Sequence, residues 1–352
     1  MAYTTINDPS ANFQIALFTG NGGTQNITND GNANLKGDLV SIRSRSSANS
    51  GAWIDSTRGA TKWLETPANA NEQTFANSNF GFLTDGFSVD YNGGYNNLNK
   101  NSDNYVAWQW KANGGTTASN SSGTITSTVQ ANTTAGFSIV SYTGNNTSGA
   151  TVGHGLGAAP DTIILKALTD SQNWFVNTPV GGGTGYMMLN NTDAADSPNS
   201  SVWNSTAPTS TVFTLGNSGG VNDSISYIAY CFKSIQGYSK IGNYKGNGND
   251  DGAFVYTGFK PSFVMAKETS GTGTWFIWDD KRSPFNVINI RLLANTDAGD
   301  DTSNDNRIDF LSNGFKIRDN SADFNDNGAT CIYLAFAENP FVATNGVPAT
   351  AR

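Results

Sequence analysis

Two stretches of the chain are apolar at nearly every position: YVAWQW, beginning at Tyr105, and YIAYCF, beginning at Tyr227. A third stretch, CIYLAF from Cys331, repeats the pattern. A strand with one wet face alternates apolar and polar residues. An unbroken apolar run between turns therefore predicts a central strand covered on both faces. One face would meet a partner sheet, and the other a neighbouring repeat or a neighbouring subunit. Elsewhere the apolar runs are short and separated by Gly, Asn, Ser and Thr, which tolerate positive φ or form local side-chain turns. Long helical patterns are missing. The chain reads as all-β, with roughly twenty or more short strands.

The apolar runs close three similar blocks. The blocks open with FQIALFTGNGG at Phe13, FSIVSYTGNN at Phe137 and IGNYKGNGN at Ile241. From the opening aromatic to the closing run the distances are 87, 85 and 87 residues (Phe18 to Tyr105, Tyr142 to Tyr227, Tyr244 to Cys331). Inside each block a strand with a basic end follows: GDLVSIR to Arg43, PDTIILK to Lys166 and PSFVMAK to Lys267. A tryptophan strand comes next, with Trp53, Trp174 and Trp275 set at equivalent positions, and then an apolar strand beside a turn: TDGFSV, STVFTL and SNGFKI. Units of roughly 90–100 residues are the size of one β-sandwich. The expected organisation is three tandem jelly-roll-like sandwiches: repeat 1 over residues 1–112, repeat 2 over 135–236 and repeat 3 over 237–341. The Gly/Ser/Thr/Asn-rich segment 113–134 reads either as a flexible linker or as an extended arm with strand character around Gly123–Val129. Residues 342–352 form a polar tail.

Composition narrows the function classes. Charged residues make up 14% and aromatics 11%, which argues for folded domains rather than a solvated disordered chain. The net charge of −8, with 20 scattered Lys and Arg, disfavours nucleic acid, whose binders show a basic face. No apolar run reaches the length of a membrane span. The first residues show no Sec-type signal. Cys231 and Cys331 lie in apolar runs and are expected to be buried free thiols.

Candidate chemistry is sparse. The opening glycines lack G-x-x-x-x-G-K-[ST], and no helix follows to receive a phosphate, so they read as turns. His154, the one histidine, has no G-x-S-x-G elbow and no counterpart in the other blocks; it reads as a turn residue. Asp279 and Asp280 are a candidate carboxylate pair for glycoside hydrolysis, as are Asp297, Asp300, Asp301, Asp305 and Asp309. The same loops, or Asp250 and Asp251, are candidate calcium ligands, although no EF-hand spacing is present. No other cofactor is expected. Trp63 and Trp203 have no repeat partner, unlike Trp53, Trp174 and Trp275. They are the candidates for surface indoles that would stack on sugar rings, with Trp278 a further aromatic of the same strand region.

The phrases YTGN, VGHGLGAAPDTIILK, WNSTAPTSTVFTLG, GYSKIGNYKGNG, VYTGFKPSFVMAK, DKRSPFN, FLSNGFKIR and YLAFAENPF resemble a family of tandem-repeat proteins from marine bacteriophages, including phages of cyanobacteria. The resemblance spans nearly the whole chain and is strongest over Phe137–Phe341. It implies a non-enzymatic virion structural protein with β-sandwich repeats of unknown function: a capsid decoration, a compact head or tail appendage, or a tail fibre. It also implies synthesis in the host cytoplasm, other virion proteins as partners, and a homo-oligomer, with a trimer favoured. The alternative is a receptor-binding protein recognising host-surface glycans. No catalytic or metal-binding residue carries over from the family.

Overall fold

A computed structural model describes residues 3–75, 79–91, 98–305, 307–343 and 348. Antiparallel β-structure dominates, with only short helical turns between strands. Each repeat contains a large sheet and a small one. The large sheet always runs in the order opening, closing, basic-ended, tryptophan strand. The opening strands are Phe13–Thr19, Phe137–Thr143 and Ser239–Lys245. The closing strands are Asn104–Trp110, Ser226–Phe232 and Thr330–Pro340. Leu39–Ser44, Thr162–Ala167 and Phe259–Glu268 carry the basic residue, and Ala52–Asp55, Phe175–Thr178 and Phe276–Asp279 follow them. The small sheets contain Phe87–Val89, Val212–Thr214 and Gly314–Ile317, the strands expected beside the turns. In repeat 3 the first, second, third, seventh and eighth strands are placed as in a jelly roll; the fourth turns back on the third instead of crossing to the opposite sheet.

The closing strands are buried on both faces, as their pattern requires. Tyr105 and Ala107 point into the core of their own sandwich, as do Tyr227, Ala229 and Cys231, and Cys331, Tyr333 and Ala335. The alternate residues (Val106, Trp108 and Trp110; Ile228, Tyr230 and Phe232; Ile332, Leu334 and Phe336) enter one shared core. At its centre the three equivalent aromatics Trp110, Phe232 and Phe336 meet edge to face in a triangle, with ring centroids 5.7, 5.9 and 6.2 Å apart. Three repeats with the same faces turned to one point form a pseudo-threefold ring. The neighbour covering the outer face of each large sheet is another repeat of the same chain.

Of the two readings of residues 113–134, flexible linker or extended arm, the arm is the one observed: Ala118–Asn120 and Ser127–Asn132 form a hairpin that extends the large sheet of repeat 2 beside its opening strand, giving seven strands. The tryptophan alignment shifts. By strand pairing, Ile42 opposes Ala52, Leu165 opposes Phe175 and Ala266 opposes Phe276. Trp174 and Trp275 therefore correspond to Gly51, and Trp53 corresponds to Val176 and Ile277. The offset is two residues, so Trp53 keeps the same face of its strand and still enters the shared core. No helix among the described residues is long and apolar enough to cross a membrane.

Candidate functional site

The repeat boundaries hold most of the buried polar chemistry. The basic residue ending each third strand is buried and reaches into the next repeat. Arg43 of repeat 1 donates to the carbonyls of Leu293 (3.1 Å) and Thr296 (2.6 Å) in repeat 3. Lys166 of repeat 2 donates to Asn69 of repeat 1 (3.3 Å), and Lys267 of repeat 3 to Thr192 of repeat 2 (2.9 Å). The sense is 1 to 3, 2 to 1, 3 to 2. Head-to-tail contacts of one sense that return to their start make a closed ring. The indoles follow the same sense: Trp174 Nε1 donates to the Glu65 carbonyl and Trp275 Nε1 to that of Met188, both at 2.8 Å. Leu293 holds the third equivalent carbonyl. Gly51 stands where the third tryptophan would be, and a Cβ there would collide with the Arg43 side chain. The Arg43 guanidinium thus replaces the missing indole. Burial lowers the Lys166 and Lys267 ammonium groups to about 8, and burial together with the Arg282 charge lowers Arg43 to about 10.

A second set of contacts lies one step along. Asp55 and Arg58 form a buried pair at 2.5 Å, and Asp279 and Arg282 form its counterpart at 2.6 Å. Arg58 also donates to the carbonyl of Trp53, and Arg282 to that of Ile277, which are equivalent positions. The closing strand of the preceding repeat, in the same sense, supplies a donor to each carboxylate. Tyr230 Oη reaches Asp55 at 2.8 Å, and Trp108 Nε1 reaches Asp279 at 3.2 Å. At the third junction the same two places hold Leu334 and Thr178: donor and carboxylate are replaced together. Burial opposes the charge on both guanidiniums, but the facing carboxylates outweigh it and hold Arg58 and Arg282 above their ordinary value.

The expected surface indoles are buried. Trp63 is 4% exposed and stacks on Phe75 inside repeat 1; Trp203 is 1% exposed and packs edge to face on Phe213 inside repeat 2. Lacking a counterpart in the other repeats did not place them outside: each fills a core that the other repeats fill with different residues. Trp53, Trp174, Trp275 and Trp278 are buried as well. Most of the acidic candidates are engaged by cations, and Asp280 accepts from the Ser262 hydroxyl at 2.9 Å. Asp300 pairs with Arg45 and Arg282, Asp301 and Asp305 with Arg291, Asp309 with Arg318, and Asp251 with Lys316. Among the described residues no group of three or more His, Cys, Asp or Glu side chains is placed to hold a metal ion. His154 is buried: Nδ1 accepts from the Leu156 amide, Nε2 faces the Thr209 carbonyl at 3.1 Å, and burial lowers its pKa. Both cysteines are free and buried, with thiols pushed up to about 12 by burial.

One repeated residue escaped the sequence reading. Asn99, Asn222 and Asn325, five or six positions before the closing runs, are fully buried. Each side-chain oxygen accepts the amide of the asparagine in the opening phrase, Asn21, Asn145 or Asn247, at 3.0–3.1 Å. Three asparagines at a nearly fixed distance from the closing strand were the available signal, hidden among many other asparagines.

Two cavities bear on function. The void on the pseudo-threefold axis, about 30 Å³ and lined by Trp53, Trp108, Trp110, Phe232, Phe263 and Leu334, is too small for an organic substrate. A cleft of about 390 Å³ opens between repeats 1 and 3. Its walls are Phe13, Gln14 and Ile15 on one side and Ser262, Asp280 and Lys281 on the other, with Asp8, Asp30 and Glu338 at the rim. Lys281 spans it to Asp30 at 2.8 Å.

No curated protein and no solved structure matches the chain. One family model matches residues 8–340, a span that takes in all three repeats and both cavities. The chain therefore belongs to the family described as Domain of unknown function (DUF7483).

Proposed function

We propose that this protein is a non-enzymatic structural component of a bacteriophage particle, a compact decoration or appendage that acts in assembly, stability or host-surface contact. The phage context rests on the resemblance of the repeated phrases; the observation that carries the structural reading is the closed ring. Arg43, Lys166 and Lys267 are each spent on a carbonyl of the next repeat, and Asp55, Arg58, Asp279 and Arg282 on the same boundaries. Buried charges used in this way hold an architecture rather than a reacting group. The cover of the closing strands, expected from a neighbouring repeat or a neighbouring subunit, comes from repeats of the same chain. The apolar closing strands therefore need no homotrimer to cover them, and we infer that a single copy serves as the trimer-like unit.

The glycan reading rested on exposed Trp63 and Trp203, and their burial takes away its motive. The hydrolase reading needed two carboxyl groups facing each other across a cleft; of its first pair, Asp279 is buried against Arg282 and Trp108, and Asp280, which lines the cleft between repeats 1 and 3, accepts from the Ser262 hydroxyl at 2.9 Å. Mass spectrometry and cryo-electron microscopy of purified particles test the proposal. The expected result is the chain in the particle, as compact three-lobed density at the surface. Its presence in infected-cell extract and absence from particles would overturn it.

A further inference from the structure

The opening strand stands at an edge of the large sheet in repeats 1 and 3, and would do so in repeat 2 without its hairpin. An open edge presents N–H and C=O groups that another strand can pair with. Two of the three edges are engaged, in repeat 2 along the strand and in repeat 3 over Ser239 and Ile241. In repeat 2, Ser127–Asn132 pairs along the opening strand, with Gln130 opposite Ile139. In repeat 3, Ile241, the counterpart of Ile139, donates its amide to the Ser234 hydroxyl at 3.0 Å and accepts from the same hydroxyl at 3.5 Å.

The edge of repeat 1 is different. Asn12 accepts from Lys111, and Gly20 donates to Asp103. By the alternation of antiparallel pairs, Gln14, Ala16 and Phe18 then bond the closing strand, while Phe13, Ile15 and Leu17 turn their backbone groups outward. Among the described residues nothing bonds those outward groups. The Phe13–Ile15 part of this edge lines the cleft of about 390 Å³, and Leu17 continues the edge beyond it. This cleft occupies the place that Ser127–Asn132 fills in repeat 2. There, Gln130 reaches Ser56 and Thr57, the two residues after Asp55. In the cleft, the two residues after Asp279, namely Asp280 and Lys281, form the facing wall.

We propose that the cleft is a strand-acceptor site, which takes an extended segment of a partner protein by β-addition along Phe13–Leu17. The filled copy gives the chemistry of the occupant. Val129 and Ala131 pack toward the sandwich core, while Gln130 and Asn132 face the neighbouring repeat. The occupant alternates small apolar with polar residues in the same way. Lys281 pairs with Asp30 and Lys260 with Glu338, and Asp8 and Asp280 leave the cleft acidic, so its central polar residue is Lys or Arg in place of Gln. A net charge of −8 makes a second copy the poorer donor. The assignment does not depend on the particle role proposed above.

The probe is a fluorescent peptide, STVQANTT, taken from residues 127–134 and carrying Gln130→Lys, titrated into the full chain. Saturable binding is expected, with photo-crosslinks falling on Phe13–Leu17. N-methylation at positions 128, 130 and 132, whose amides would face the acceptor edge, weakens binding by at least about tenfold, because two or three backbone hydrogen bonds are lost. N-methylation at positions 129 and 131 changes it by less than about threefold. No saturable binding up to about 1 mM, equal effects of the two methylation patterns, or crosslinks elsewhere would each overturn the proposal. Self-association that excludes the peptide would place a second copy in the cleft and overturn the choice of partner.

Discussion

A buried ion pair is costly to break from one side. Arg58 and Asp55 are both nearly inaccessible, and Tyr230 completes the carboxylate. Arg58→Met leaves Asp55 buried without its cation and should cost about 3–5 kcal/mol. Asp55→Val combined with Arg58→Met should cost less than Arg58→Met alone, since the junction carrying Thr178 and Leu334 shows that the ring closes without a charge there. Urea denaturation of the two variants checks this; a double variant weaker than the single one would refute it. The buried lysines make a separate, pH-dependent prediction. Lys166 and Lys267 sit at about 8 in the fold, below their ordinary 10.5. Above pH 8 the folded chain has released protons that the unfolded chain still holds, so stability rises with pH. The cysteines have the opposite sign, since thiols raised from 9.0 to about 12 keep protons that the unfolded chain releases. The window for the lysines is therefore pH 8 to 9. The urea midpoint should increase across it, and the increase should shrink in Lys166→Met and Lys267→Met. A midpoint that falls over this range would contradict the assignment.

At the scale of elements, the phrase shared by the three opening strands was legible as a turn, but its cause was not. Gly20, Gly144 and Gly246 are not among the glycines with positive φ. A Cβ on any of them would collide with backbone of the turn before the closing strand, at Lys100, Asp223 or Asp326. The glycine is needed for close approach, which depends on a segment about 80 residues away and leaves no mark in local sequence. Gly20→Ala should therefore cost about 1–3 kcal/mol. Gly23→Ala, in the same turn but where a Cβ would meet nothing closer than Asn21 Oδ1 at 3.9 Å, should stay within about 0.5 kcal/mol. Thermal unfolding of this pair separates close approach from turn flexibility, since a shared loss would favour the latter. The tryptophan strands show a second limit. Matching Trp53 to Trp174 and Trp275 by letter gave the correct face and the wrong register, because a two-residue slip preserves the side of a strand. The surface assignment of Trp63 and Trp203 failed for a related reason: an indole without a repeat partner can still fill a core that has diverged.

For the whole molecule, the two-sided burial of the closing strands could be read from YVAWQW and YIAYCF, but what covers the second face could not. A repeat and a subunit present the same requirement to a single strand. The structure answers with one core shared by all three repeats, and this has a thermodynamic consequence. Phe336 touches Phe13 and Trp110 of repeat 1, Phe232 of repeat 2 and Phe263 of its own repeat. A repeat that unfolded alone would strip the axial faces of the other two, so the three should melt together. Calorimetry is expected to show one transition with calorimetric and van't Hoff enthalpies in agreement. Phe336→Ala should lower stability by about 3–5 kcal/mol. The loss should appear in hydrogen exchange at the closing-strand amides Ala107 and Ala229 as strongly as at Ala335, because protection against global unfolding is common to every element of a cooperative unit. Exchange that accelerates at Ala335 alone, or a melting curve with separate steps, would mean that the repeats are independent domains in contact and that the ring is not the folding unit.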